Sequence, residues 1–253
     1  MKIREFQNWL DDILDISSFK DTDASMNGMQ VGRKSEEIQC IALAVDACAE
    51  VFRRAGDAGA DAVLVHHGLF WGKPLAVTNE HYSRLSLLFE HDVALFAAHL
   101  PLDAHPEVGN NAAIAQALHI QNPNPFGWYH GQAIGISGAL PRAVTVQELT
   151  ASLGWEGEPD ITVLPFGPEK LAKVGIVSGG AAKTVSEAIG EGLDAFITGE
   201  SSHQIYHDCL EAGITVLAGG HYRTEVYGIQ ALGKLIEKET GIKTVFIDVP
   251  TGL

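Results

Sequence analysis

Short apolar runs rich in β-branched residues alternate with segments of helical periodicity along most of this chain. Residues 40–45, 62–65 and 93–98 form such runs, and helical patterns cover 49–59 and 82–91 between them. Strands that alternate with helices form sheets of parallel strands covered by helices, since each parallel crossover needs a long connection. The sequence therefore predicts an α/β fold with mostly parallel sheets.

The same plan recurs further along the chain. Strands are expected over 174–177, 195–198, 215–218 and 244–249, and helices over 182–191, 203–212 and 225–238. The string that begins at Asp61 (Asp-Ala-Val-Leu-Val) is echoed by the string that begins at Asp194 (Asp-Ala-Phe-Ile-Thr). We therefore predict two similar βα-repeat halves, related by a pseudo-twofold internal duplication.

A segment that opposes regular structure separates the two halves. Residues 121–127 contain two prolines and two asparagines, which disfavour both a helix and a central strand. We place the boundary there, which gives an N-terminal half over 1–125 and a C-terminal half over 126–253. Weaker patterns after it predict a strand over 133–137, a helix over 146–153 and a strand over 161–164.

Histidines and acids follow the apolar runs in both halves. They are His66, His67 and Asp103 in the first half, and His221 and Glu225 in the second. Ligands of α/β proteins gather beyond the carboxyl ends of the strands, and imidazole with carboxylate is a donor set for divalent transition metals. Neighbours on a regular strand point to opposite faces, so we expect the backbone to turn after His67, where Gly68 permits it. Adjacent ligands suit two neighbouring ions better than one.

Other polar residues near these positions have competing interpretations. His99, four residues before Asp103, is matched in the repeat to His221, four residues before Glu225. We treat His99 as lining the site, with Glu200 as a second candidate for a general base.

The pair His203 and His207 has the spacing of a helical zinc pair but lacks the glutamate of the HExxH motif, so an outer role is favoured over ligation. His105, beside Pro106, is as consistent with a loop position as with a function.

Composition limits the partners. The chain carries a formal net charge of −15, which repels phosphate backbones and disfavours duplex nucleic acid as a partner. Its three cysteines form no CxxC pair, so the sequence suggests neither a disulfide framework nor a thiolate zinc site, and a reducing cytoplasm is expected. The first 16 residues form an amphipathic helical pattern, and no apolar stretch is long enough for a membrane span.

Five longer strings carry a resemblance to a known family. They are Asn27-Gly-Met-Gln-Val31, His66-His-Gly-Leu-Phe-Trp71, the string from His99 to Asn111, Ile197-Thr-Gly-Glu200 and Gly220-His-Tyr-Arg-Thr-Glu225. Together they resemble the dinuclear-metal-centre family, also called Ngg-one-interacting-factor-three-like. Its bacterial members are often labelled GTP cyclohydrolase 1 type 2 homologues.

The resemblance implies a toroidal homohexamer in which each subunit holds two divalent metal ions. The ligand positions of the family correspond to His66, His67, Asp103, His221 and Glu225 of this chain. Such mixed nitrogen and oxygen donors accept zinc, iron and manganese alike.

Two classes of function remain open from the sequence. The first is a metal-dependent hydrolase that acts on a nucleotide or another small anionic substrate through metal-activated water, possibly a GTP cyclohydrolase 1 type 2-like enzyme. The second is a ring-shaped metal-binding scaffold or regulatory protein without turnover, since the chain has no phosphate-binding loop motif. Binding of single-stranded nucleic acid in the ring is weakened by the acidic balance.

Overall fold

The computed structural model describes residues 1–253 and divides into two compact units. Unit 1 consists of Met1–Leu102 and Ile229–Val249, and unit 2 consists of Asp103–Gly228 and Pro250–Leu253.

Nine α-helices and eleven strands follow one another along the chain. The α-helices are α1 (Ile3–Ile13), α2 (Ala49–Asp57), α3 (Asn79–Glu90), α4 (Leu100–Ala104), α5 (Asn110–Ala117), α6 (Val146–Ser152), α7 (Val185–Gly190), α8 (Tyr206–Ala212) and α9 (His221–Thr240). The strands are β1 (Gly28–Val31), β2 (Cys40–Asp46), β3 (Ala62–His67), β4 (Ala94–Ala97), β5 (Gln121–Tyr129), β6 (Gln132–Val144), β7 (Thr162–Pro165), β8 (Leu171–Val177), β9 (Ala195–Thr198), β10 (Thr215–Ala218) and β11 (Lys243–Phe246). None of the helices combines the length and the apolar character that a membrane crossing requires.

Unit 1 is built on a five-stranded sheet in the order β1-β4-β3-β2-β11. The strands β4, β3, β2 and β11 are parallel, and β1 adds to β4 in the antiparallel sense. The central strand β3 is buried on both faces as far as His66, as expected when helices cover both sides of a parallel sheet. Phe6 and Leu10 of the amphipathic α1 are fully buried, which confirms the predicted N-terminal helix.

Unit 2 contains a six-stranded sheet in the order β5-β6-β8-β9-β10-β7. Its three central strands β8, β9 and β10 are parallel, whereas β5, β6 and β7 pair in the antiparallel sense. The prediction of two similar α/β halves with parallel core strands is therefore confirmed, although unit 2 has additional antiparallel strands at its edges.

The segment that interrupts the alternating pattern is itself a strand. Residues 121–127 belong to β5, which lies at the edge of its sheet and pairs only with β6. Pro123 and Pro125 are compatible with this place, because an edge strand leaves one row of backbone groups without a required partner. The predicted boundary at 125/126 thus falls inside a strand of unit 2, and β11 of the predicted C-terminal half joins the sheet of unit 1.

The two parallel cores have the same internal register. Asp61 Oδ2 accepts hydrogen bonds from the backbone N–H groups of Gln39 and Cys40, at 2.8 and 3.0 Å. Asp194 Oδ2 accepts the equivalent pair from Ala172 and Lys173, at 2.8 and 2.9 Å. Asp61 thus connects the start of β3 with the start of β2, and Asp194 connects the start of β9 with β8, as expected for duplicated βα units.

The register also corrects one detail of the predicted repeat. Ala62 pairs with Ala94 and Ala195 pairs with Thr215, so β4 aligns with β10 from these residues onward. Counting forward, His99 corresponds to Gly220 rather than to His221. The predicted match of His99 with His221 is therefore wrong by one residue. The two units share the register at the starts of their strands, whereas the segments after the strands differ.

Candidate metal centre

Three histidines of unit 1 form a cluster at the carboxyl ends of β3 and β4. The ring centroids of His66 and His67 are 4.7 Å apart, and the ring of His99 lies 5.1 Å from the first and 5.6 Å from the second. One ring nitrogen of each residue lies within 4.8 Å of the others. We call these residues the histidine cluster. His99, which the sequence predicts to line the site, lies beside the two predicted ligands.

Hydrogen bonds fix the tautomers of the two adjacent histidines. His66 is fully buried, and its Nδ1 lies 2.8 Å from the carbonyl oxygen of Ala98. His67 Nδ1 lies 2.9 Å from Oδ1 of Asp46, the residue opposite it in the β2–β3 register. A carbonyl and a carboxylate both accept, so each Nδ1 carries the proton and the lone pair of the neutral ring lies on Nε2. This is the arrangement that orients histidines that bind metals.

His99 is oriented by a buried carboxylate. Its Nδ1 lies 2.9 Å from Asp23 Oδ1, and its backbone N–H donates to Asn27 Oδ1 at 2.8 Å. Asp23 also accepts from the side-chain amide of Asn27 and from the backbone of Ser25 and Leu100. Burial raises the pKa of Asp23, but the hydrogen bonds from His99, Asn27 and Ser25 outweigh it and hold the pKa below its ordinary value. Asp23 is therefore an ionised anchor for the ring of His99.

Gly68 does not provide the predicted backbone turn but leaves space for a neighbouring side chain. The strand β3 runs through His67 without a left-handed residue at Gly68. A Cβ atom at Gly68 would lie 2.3 Å from the side-chain nitrogen Nε2 of Gln30. The side-chain oxygen Oε1 of Gln30 accepts a hydrogen bond from the backbone N–H of Leu69 at 2.7 Å. The glycine thus leaves room for Gln30, which holds the loop that follows the histidines.

In unit 2 the first turn of α9 carries a histidine and a buried acid. His221 and Glu225 are one helical turn apart, with Nε2 and Oε1 at 3.1 Å. On the other side of the ring, His221 Nδ1 lies 2.6 Å from Oε1 of Glu200. The hydrogen bond with Glu225 is the largest influence on His221 and, together with Glu200, raises its pKa to about 9 against the opposing effect of burial. Without metal the ring is a cation between two carboxylates.

Glycines allow the first turn of α9 to lie against the strand ends of unit 2. Gly179 has φ +66°, and a Cβ atom there would lie 2.3 Å from Oε1 of Glu225. A Cβ atom at Gly199 would lie 2.7 Å from the backbone oxygen of Gly179 and 2.8 Å from Cα of His221. Real side chains do not fit at such distances, so both positions require glycine. The helix was predicted to start at Glu225, but it begins at His221 and so holds both groups on one turn.

Asp103 is held by a polar network in unit 2. It lies in α4 and is largely buried, and its Oδ1 accepts from Asn110 Nδ2 at 2.8 Å and from Ser178 Oγ at 3.1 Å. Asn110 Oδ1 in turn accepts from the backbone N–H of Gly228 in α9 at 2.7 Å. Ser178 precedes Gly179 at the end of β8. The same strand end therefore lies against both Asp103 and Glu225. These contacts fix the carboxylate in one orientation.

Asp103 also lines a cavity of about 310 Å³ in unit 2. The remaining walls come from the loop after α4 and from the β5–β6 pair: Ala104, Pro106, Pro123, Asn124, Pro125, Ala133, Ile134, Gly135 and Ile136. Asp103 carries the only ionisable side chain in this lining, and Asn124 adds a neutral amide. The cavity is therefore suited to an uncharged group next to a carboxylate.

Sequence reasoning missed the residues that orient the predicted site residues. Asp46, Asp23, Asn110 and Ser178 were not singled out, although Asp46 and Ser178 lie at or directly after strand ends of the kind that drew attention to the histidines. The rule that polar groups gather beyond the carboxyl ends of parallel strands would have found those two. His203 and His207 are both exposed, and His105 Nδ1 accepts from the backbone N–H groups of Glu107 and Val108.

The donors of each unit fit divalent transition metals. Unit 1 presents imidazoles whose Nδ1 atoms each face an accepting oxygen, and unit 2 presents the imidazole of His221 with the carboxylates of Glu225 and Asp103. Nitrogen and carboxylate donors with such outer hydrogen bonds are characteristic of zinc, iron and manganese sites. Fold and side chains together define an α/β protein with groups that could hold a metal ion.

The comparisons with known proteins name the family. The chain belongs to the Duf34/NIF3 (NGG1p interacting factor 3) family, whose model matches residues 1–252. A protein of Deinococcus radiodurans named GTP cyclohydrolase 1 type 2 homolog is 43% identical over 98% of this chain and 94% of its own length. A protein of Archaeoglobus fulgidus with the same name is also 43% identical and is covered completely, as is this chain.

Solved structures show the same fold. The crystal structure of TTHA1606 from Thermus thermophilus matches with a TM-score of 0.92 at 36% identity, covering 100% of both chains. The ybgI protein, described as of unknown function, matches with a TM-score of 0.90 at 35% identity over the same complete range. The family assignment drawn from the five strings is confirmed by these relatives.

Proposed function

We propose that this chain is a dinuclear metal-dependent hydrolase that acts on a nucleotide or another small anionic substrate. Two divalent ions, of zinc, iron or manganese, would be held by His66, His67, Asp103, His221 and Glu225. The observation that carries the proposal is the pair of hydrogen bonds from Nδ1 of His66 and His67 to the Ala98 carbonyl and to Asp46. These bonds leave Nε2 of each neutral ring with the lone pair that binds metal. The relatives' shared name supports a nucleotide as substrate. We further propose that the chain works in the cytoplasm as a homohexameric ring.

When bound, two neighbouring ions would supply a water of lowered pKa and positive charge for the attacking and leaving oxygens. The charge matters here because the chain has a net charge of −15 and its site residues include several carboxylates. Two divalent ions against two ligand carboxylates leave roughly +2 at the centre. An anionic substrate would therefore bind the metal-loaded protein and be repelled by the metal-free protein.

The protein's own residues would orient the donors and the substrate. Asp46 and the carbonyl of Ala98 hold the ligand tautomers of the adjacent histidines, and Glu200 holds His221 Nδ1. Through this contact Glu200 would act as a positioning residue for His221, beside the general-base role suggested by its sequence position. The cavity beside Asp103 has no cationic side chain in its lining, so it would receive an uncharged part of the substrate and leave the anionic part to the metals.

Formate release from GTP tests the specific form of this proposal. Protein loaded with each of the three metals in turn is incubated with GTP, and formate and the opened purine product are measured. We expect turnover that is abolished in His66→Ala and retained in His91→Ala, a matched change of an exposed histidine in the same unit. If no metal supports release, a panel of nucleotides and other small anionic esters and amides follows.

Chelation separates the hydrolase from a metal-binding scaffold. Ring assembly is measured by light scattering before and after metal removal, in parallel with turnover. A hydrolase loses turnover on chelation and regains it with metal. If chelation dissolves the assembly while no substrate is ever consumed, the protein is a scaffold and the proposed activity is wrong.

A further inference from the structure

We propose that the cavity beside Asp103 binds an uncharged nitrogen heterocycle of the substrate, and that Asn124 selects a ring that carries an amino group. The inference rests on the proposed function and deepens it, because it gives the uncharged part of the substrate a place and a chemical class. All residues that line the cavity belong to unit 2.

Most of the cavity wall is apolar. Pro123 and Pro125 of β5 and Ile134 and Ile136 of β6 line it, and Ile136 is the partner of Pro125 in the strand register. A proline ring loses no rotamer freedom when a ligand packs against it. The volume of about 310 Å³ lies at the lower end of the roughly 300–1,000 Å³ of small-molecule sites. The wall therefore suits one ring system rather than a whole nucleotide.

A buried amide holds the walls of the cavity in place. Asn111 is fully buried, and its Nδ2 donates to the backbone oxygens of Ile134 at 2.6 Å and of Asp103 at 3.3 Å. Its Oδ1 accepts from the backbone N–H of Ser178 at 2.7 Å. One side chain thus connects β6, α4 and the end of β8. A ligand would meet a cavity that is already formed, which favours binding because little has to be ordered.

The polar side chains of the lining offer acceptors rather than donors. Asn124 Nδ2 already donates to the backbone oxygen of Asn122 at 2.9 Å, whereas its Oδ1 accepts no hydrogen bond. The carboxylate of Asp103 also accepts only, and the prolines contribute no backbone N–H. Because Asp103 is a proposed metal ligand, Asn124 Oδ1 is the acceptor left for the ring. A ring with an amino group supplies the donor that this oxygen lacks.

An irregularity in β5 explains why Asn124 lines the cavity together with both neighbouring prolines. Successive residues of a regular strand point to opposite faces. The pairing of β5 with β6 shifts between Gln121 and Asn124, and Asn122 has a left-handed backbone with φ +50°. Such a bulge redirects the side chains that follow it. The edge strand is therefore shaped locally in the way that places an amide among apolar rings.

Binding of two nucleosides to the full-length chain tests the part assigned to Asn124. Guanosine and inosine differ only by one exocyclic amino group, and neither carries a phosphate that would need the metals. Calorimetric titrations in the presence of a chelator measure both affinities. We expect guanosine to bind roughly 5-fold more tightly, as one added hydrogen bond supplies. Asn124→Ala should lower guanosine binding to the level of inosine, and Gln147→Ala, at an exposed amide of α6, should change neither.

A larger side chain in the wall tests the place of binding. Ala133→Leu puts added volume into the cavity and should weaken the binding of both nucleosides by roughly 10-fold or more. Ala143→Leu is the matched control, since it makes the same change at an exposed position of the same strand outside the cavity. Urea unfolding of each variant shows whether the fold is kept.

Three results would overturn the inference. The cavity is not the ring site if the unchanged protein binds neither nucleoside, or if folded Ala133→Leu binds both as tightly as the control. Equal affinities of the unchanged protein for guanosine and inosine would refute selection by Asn124. These outcomes are separate from the hydrolase test, because a protein without turnover can still bind guanosine in this cavity, and an active hydrolase can hold its substrate elsewhere.

Discussion

The two units share one scaffold and differ at the ends of its strands. In both, an aspartate at the start of the middle strand accepts two backbone hydrogen bonds from the neighbouring strand. At the carboxyl ends of the strands the register aligns His66 with Gly199, His67 with Glu200, and Asp46 with Gly179. Unit 1 thus has two histidines and an aspartate at the positions where unit 2 has two glycines and a glutamate.

The glycines explain why the candidate metal donors of the two units lie on different elements. In unit 2 the first turn of α9 lies so close to the strand ends that a Cβ atom at Gly179 or Gly199 would collide with it. Two of the candidate donors of unit 2, His221 and Glu225, therefore come from α9 instead of from the strands. In unit 1 the strands themselves carry the imidazoles. The duplication preserved the scaffold while the position of the donors changed.

The largest effect is expected from a side chain placed at Gly199. Gly199→Ala is expected to destabilise the protein by about 3 kcal/mol, because the new Cβ meets backbone atoms that cannot move aside. The free energy of unfolding in urea measures it. Gly190→Ala, at a helical position with open space, is the control and should be neutral or stabilising by about 0.5–1 kcal/mol. Equal effects would mean that α9 does not need the glycine.

A smaller effect is expected when the carboxylates that orient the proposed ligands are removed. Asp46→Ala and Glu200→Ala are each expected to weaken metal binding by about 10-fold to 100-fold, because each frees the Nδ1 of one proposed ligand. Competition titrations with Co²⁺ measure the change, and Asp208→Ala on the exposed face of α8 serves as control. If Asp46→Ala binds as tightly as the unchanged protein, the tautomer argument for unit 1 fails.

The smallest effect concerns the two equivalent aspartates. Asp61 also contacts Arg33, with Oδ1 and Nη1 at 2.5 Å, so Asp61→Asn should cost about 1 kcal/mol more than Asp194→Asn at neutral pH. Burial raises the pKa of Asp61, but the backbone hydrogen bonds and Arg33 outweigh it and lower the pKa below 3.8.

A lowered folded-state pKa means that the stabilisation by Asp61 is complete above pH 3.8 and is lost as the pH falls through the lower value. The excess cost of Asp61→Asn should therefore shrink in that acidic range. Urea unfolding of both variants from pH 7 down to pH 3 gives the comparison. If the free energies of unfolding of the two variants differ by the same amount at every pH, the charge of Asp61 is not the cause of the difference.

Much of this architecture could be predicted from local patterns. The strands over Cys40–Asp46, Ala62–His67, Ala195–Thr198 and Thr215–Ala218 were located because buried parallel strands are short, apolar and bounded by turns. The predicted metal residues were located because they follow those strands. The edge strand β5 was missed because its prolines are excluded only from central strands, and the sequence does not say which strands lie at an edge.

The details of the site depended on contacts that no local pattern contains. His99 lies 76 residues beyond Asp23 in the chain, yet this carboxylate fixes its ring. Gly199 is required by the approach of α9, whose start was itself predicted four residues too late. Neither relation has a sequence period, so neither could be read before the chain was folded.

The βα alternation, its repetition and the imidazole and carboxylate groups near the strand ends could all be read from local patterns, because hydrophobic periodicity and residue chemistry are local properties. The folded chain was needed to show which oxygens the Nδ1 atoms of the histidines face, which glycines make room for α9, and that His99 lies beside His66 and His67. Those outcomes depend on distances between residues remote in the chain, which are fixed when the sheets form and the strand ends come together.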